Sequence, residues 1–117
     1  MPKPTHALEV DYTLDGARVV VVRSSFADPT LARRFFTARS SMVRSCAGRV
    51  GSTAIGPLVG GIVEPAAGAL ASDRTPESDP WREVAVLDGE TVVLLALQGR
   101  DGLTPRQTRR LVRLLRT

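Results

Sequence analysis

A chain of 117 residues, 43% of them apolar, has the length of one domain and can bury one core. Its net charge of +4 rests on arginine, Lys3 being the single lysine, and its five aromatic residues leave the core to Val, Leu and Ala. One cysteine, Cys46, excludes an intramolecular disulfide, and one histidine, His6, leaves no cluster with metal-ligand spacing and no well-placed nucleophile–base pair.

The opening MPKPTHALEVDYT has no apolar stretch of the kind a secretory leader needs. With the lone thiol, that gives a cytoplasmic protein as the expectation. From Leu8 the pattern alternates. Leu8, Val10, Tyr12 and Leu14 share one side, Glu9, Asp11 and Thr13 the other, which predicts a strand with one buried and one wet face. Asp15-Gly16 is a hairpin turn signal, and the valines from Val19 to Val22 predict a returning strand covered on both sides. Asp28-Pro29 predicts a helix start, because Asp caps free amides and Pro fits the first helical position. The helix is expected to run to about Ala47, with Leu31, Phe35, Ala38, Met42 and Cys46 as its inward stripe. A small buried thiol is the expected role of Cys46.

Residues 48–72 hold six glycines, two prolines and only two charges, Arg49 and Glu64. Gly48-Arg49-Val50-Gly51-Ser52-Thr53 could approach an anion through its amides, but it lacks the lysine and spacing of a phosphate loop, so a helix stop and turn is expected. Residues 50–71 are long enough to span a bilayer, yet Pro57, Pro65 and Glu64 argue against a spanning helix. Leu58, Val59, Ile62 and Val63 are instead expected to cover the sheet or to form an interaction surface. Residues 73–80 read as an exposed polar loop. Asp73, Glu77 and Asp79 within it are expected to be solvated rather than to hold calcium.

Beyond Trp81 the pattern repeats. A strand leads to Asp88-Gly89, residues 91–97 (TVVLLAL) predict a central strand covered on both faces, and Thr104-Pro105 predicts the last helix. Its apolar side is Leu111, Leu114 and Leu115; Arg106, Arg109, Arg110, Arg113 and Arg116 face outward as a candidate anion or nucleic-acid contact. Residues 103–115, LTPRQTRRLVRLL, resemble the opening helix of LuxR-type DNA-binding domains. The resemblance stops short of the recognition helix with which that family reads DNA.

The two halves align through their Asp-Gly turns and capped helices. The predicted fold is therefore a single α+β domain made of pseudo-duplicated ββα units, about 7–47 and 81–117. Their hairpins would join in one four-stranded antiparallel sheet with both helices on one face, linked by a Gly-rich central connection. The functional expectation is a small non-enzymatic protein-interaction or assembly module without cofactor, self-associating or part of a larger complex. The alternative is a nucleic-acid-binding module using the last helix.

Overall fold

The structure, a computed structural model, describes residues 2–14, 16–46, 58–75, 81–98 and 104–116. Six strands and two helices follow the order β1 (His6–Leu14), β2 (Ala17–Ser25), α1 (Pro29–Cys46), β3 (Leu58–Val63), β4 (Ala69–Thr75), β5 (Trp81–Asp88), β6 (Thr91–Gln98) and α2 (Pro105–Leu115). All six strands form one antiparallel sheet in the order β1-β2-β6-β5-β4-β3.

The four expected strands are present, but the sheet is not four-stranded. The two added strands come from the stretch expected to connect the halves and from the start of the expected polar loop: β3 is Leu58–Val63, and β4 runs on through Asp73 to Thr75. The apolar run of Leu58, Val59, Ile62 and Val63, three of them β-branched, pairs with β4 through Leu58, Val59 and Val63 rather than lying across the sheet. Asp73 survives inside a strand because Arg82, directly opposite it on β5, donates from Nη1 to both carboxylate oxygens at 3.0 and 3.2 Å. No helix among the described residues is long and apolar enough to cross a membrane. The Gly48-to-Thr53 turn, Glu77 and Asp79 lie outside the described residues.

The helices lie on opposite faces of the sheet, which overturns the one-face expectation. Successive strand residues point to opposite sides. Leu70 packs with Val43 of α1, whereas its neighbours Ala69 and Ala71 pack with Val112 of α2. The α1 side continues through Val92, Leu87 and Leu94, which meet Phe26, Leu31, Ala32, Phe35 and Phe36. Val84 and Val86 complete the α2 side, with Leu115 and Ala66 at its margin. The strands β4 and β5 therefore have a helix on each face, and Val84, Val86, Val92 and Val93 are fully buried. The matching turn and cap signals of the two halves mark two hairpins and two helix starts. A duplicated ββα unit is not shown.

Both helix starts form as the sequence predicts. Asp28 Oδ1 accepts from the Leu31 amide at 2.9 Å. At α2 the Thr104 hydroxyl accepts from the Gln107 amide and the Gln107 side chain accepts from the Thr104 amide, a reciprocal capping box. Leu31 and Phe35 of the expected α1 stripe do pack against the core, but in the second half of the helix the buried stripe is shifted by one residue. Ala32 and Val43 are buried, Phe36 lies beside them, and Met42 is 58% exposed. Arg39 causes the shift: it falls on the inward stripe and forms a salt bridge to Glu83 of β5 at 2.5 Å, with side-chain exposures of 19% and 9%. A helix read by hydropathy turns such a residue outward; a carboxylate waiting on the sheet turns it inward.

Candidate functional site

Three surfaces stand out: the outer edge of β1, the groove beside α1, and the exposed face of α2.

The edge strands differ sharply. β3 has six residues, a Gly60-Gly61 pair and a register shift between Gly60 and Val63. Short, glycine-rich and bulged strands are poor templates for another chain. By contrast, β1 has nine residues paired to β2 without interruption, from His6 opposite Ser25 to Leu14 opposite Ala17. Gly16, at φ +81°, allows the tight turn that sets this register. Alternate residues of β1 turn their N–H and C=O groups away from β2, and no strand among the described residues takes them up.

The described side chains of β1, at positions 6–11 and 13, are as open as its backbone. The sequence predicts burial for the side that carries Leu8 and Val10, but they are 54% and 47% exposed. Register explains the difference. Val10 lies opposite Val21, Val21 opposite Leu95, and Leu95 opposite Val84, so this row shares the face on which α2 packs. The eleven residues of α2 pack on β4 and β5, at the other end of that row. On the α1 side of the same strand Glu9 and Asp11 are exposed. Arg18 of β2 donates from Nε to Asp11 Oδ1 at 3.1 Å and from Nη2 to Oδ2 at 2.5 Å. That forked hydrogen bond holds the Asp11 carboxyl below its ordinary value and raises Arg18. His6 is the first residue of this strand.

Of the apolar residues singled out in the sequence, Ile62 packs with Val43 and Leu70, Val63 is exposed, and Leu58 and Val59 belong to the blunted edge strand β3. Next to them a groove of about 240 Å³ runs along α1, lined by Thr37, Ser40, Ser41, Arg44, Glu64 and Leu70 among others. Arg44 and Glu64 pair across its rim. Both are well exposed, and such a pair contributes about 0–1 kcal/mol. Among the described residues no group of three potential metal ligands comes together.

The arginines of α2 divide into two roles. Arg106, Arg109, Arg110 and Arg113 are exposed and fall within an arc of roughly 100° at 3.6 residues per turn, opposite Thr108, Val112 and Leu115. No salt bridge joins them to a carboxylate among the described residues. Arg116 is turned inward instead. Its Nη2 donates to the Ala67 carbonyl and, at 3.5 Å, to the Leu87 carbonyl, tying the end of α2 to the β3–β4 turn and to β5. A side chain so engaged is a structural clamp and leaves the candidate anion contact with four members. Leu114, expected inward, is 58% exposed, and Val112 takes its place in the core. The helix phase is set by Thr108 and Val112, the buried residues of α2.

No protein-family model matches this chain, and no curated protein matches it. Among solved structures, the extracellular domain of PknH from Mycobacterium tuberculosis is similar to it, with a TM-score of 0.66 over 93% of this chain. The two are 14% identical, and this chain spans 62% of that one, so the likeness is one of fold alone.

Proposed function

We propose that this chain is a non-enzymatic protein-interaction module that assembles through the outer edge of β1, its own copies being the first partner. The observation that carries the reading is the contrast between the two edges of one sheet. β3 is short, glycine-paired and bulged, while β1 offers nine uninterrupted residues with Leu8 and Val10 in water. A long, uninterrupted edge with exposed apolar side chains is a pairing site. Light scattering on a size-exclusion column tests this. The wild-type chain is expected to elute with a mass that rises with loading concentration, and Val10→Lys to stay monomeric. A wild-type chain that is monomeric at every loading removes self-assembly.

A second reading, nucleic-acid binding through α2, is favoured by one observation. Arg106 sits in the first turn of the helix, where the dipole favours an acid and no acidic residue is present. Helix stability alone does not put a cation there. Four phosphate contacts would give a log–log salt slope of about −3 to −4 on duplex DNA. Fluorescence anisotropy at low salt measures it, and no binding there eliminates the reading.

A further inference from the structure

We infer that β1 pairs with β1 of a second copy in one antiparallel register, with Val10 on the twofold axis, so that two six-stranded sheets become one. This rests on the edge-assembly reading above and adds to it the partner's symmetry and the contacts that select it.

Three constraints fix the register. The first is face matching. A shift by one residue would place the Leu8–Val10 side of one copy beside the Glu9–Asp11 side of the other, so only even shifts keep like faces together. The second is overlap. Pairing centred on Val10 uses the whole of His6–Leu14, with Leu8 opposite Tyr12 of the second copy and Ala7 opposite Thr13. Pro4 on one side and the Gly16 turn on the other leave nothing to extend it.

The third constraint is charge. Centring on Glu9 sets Glu9 against its own symmetry mate, and centring on Asp11 does the same for Asp11; like charges directly opposite are destabilising. Centring on Val10 sets Glu9 against an Asp11 whose carboxylate already holds Arg18. Arg18 spends Nε and Nη2 on that carboxylate, and Nη1 makes no hydrogen bond to a described residue. A guanidinium carries five N–H donors, enough to serve a second carboxylate. Glu9 of the second copy arrives beside it, so each half of the dimer forms a Glu9–Arg18–Asp11 bridge. On the other face Leu8 and Val10 of both copies run together into one apolar strip.

Cysteine scanning in a Cys46→Ser background tests the register. Directly opposed residues have Cα atoms about 4.5 to 5.5 Å apart, within disulfide range. Val10→Cys alone is expected to cross-link under mild oxidation. Leu8→Cys and Tyr12→Cys are expected to cross-link only when mixed. Leu8 is the more exposed of the first two positions, so random collision would favour it over Val10. Arg18→Gln is expected to weaken dimerisation by up to about tenfold, two exposed ion pairs being lost per dimer. Cross-linking of Leu8→Cys with itself, or of Val10→Cys only with a cysteine elsewhere, overturns the register. If the wild-type chain dimerises, Val10→Lys abolishes the dimer and Val10→Cys still does not cross-link with itself, the register falls and edge assembly stands. A wild-type chain that sediments as a monomer overturns both.

Discussion

The placement of the two helices on opposite faces can be measured through the cores they close. Val112 of α2 packs in one cluster with Val86, and Val43 of α1 packs with Leu70 across the sheet. All three valines are at most 5% exposed. Truncating a buried valine to alanine removes two methyl groups, about 1.6 kcal/mol of transfer energy, and leaves a cavity that raises the cost to about 2–3 kcal/mol. Each of Val43→Ala, Val86→Ala and Val112→Ala should therefore lower stability by that amount, a large share of the roughly 5–15 kcal/mol a domain holds. The combinations decide the topology. Val86→Ala with Val112→Ala opens one shared cavity, and the double variant should depart from the sum of the singles by about 0.5–1 kcal/mol. Val43→Ala with Val112→Ala touches two separate cores, and the losses should add within about 0.5 kcal/mol. Urea unfolding at 25 °C, with constant m-values, gives all five numbers. Coupling between Val43 and Val112 as strong as that between Val86 and Val112 would place both helices over one core and refute the reasoning.

Three further outcomes are expected. Glu83→Ala removes the Arg39–Glu83 salt bridge and should destabilise by about 2–4 kcal/mol, discounted for the partial exposure of Arg39; replacing both residues by leucine should cost clearly less than the sum of the single losses, and urea unfolding reads both. Thr104→Ala removes the α2 capping box and should cost about 0.5–2 kcal/mol, with faster amide exchange in the first turn; an unchanged unfolding midpoint would mean the box contributes nothing. The Asp11 carboxyl, held by Arg18, should titrate below its ordinary value of 3.8 and return toward it in Arg18→Gln. The pair then adds stability above the ordinary carboxylate range and loses it as pH falls through the lowered value. An NMR titration of Asp11 with no difference between the two proteins would contradict this.

Much of the architecture is legible in the residues, and the errors share a cause. Capping and turn chemistry act within four residues, so Asp28, Thr104 and the positive-φ Gly16 and Gly89 mark their elements reliably. The TVVLLAL run reads as a central strand because nothing but burial on both faces suits it, and β6 lies between β2 and β5. What local pattern does not carry is pairing across distance. β3 and β4 are strands because each finds a neighbour, and glycines and Asp73 hide that in composition. The inward turn of Arg39 depends on Glu83, forty-four positions along the chain. Of the candidate surfaces, the exposed basic stripe was legible from helical spacing for Arg106, Arg109, Arg110 and Arg113 but not for Arg116, which the Ala67 and Leu87 carbonyls draw inward. The β1 edge was half legible: its alternation showed, but its position at the end of the sheet, which leaves both faces wet, did not.

Assembly through β1 is tested most directly by amide exchange at low and high protein concentration. The account predicts that alternate β1 amides, those facing away from β2, gain protection as concentration rises, while those of β3 do not change. Outward β1 amides that exchange freely at every concentration, or a gain confined to β3, would contradict it.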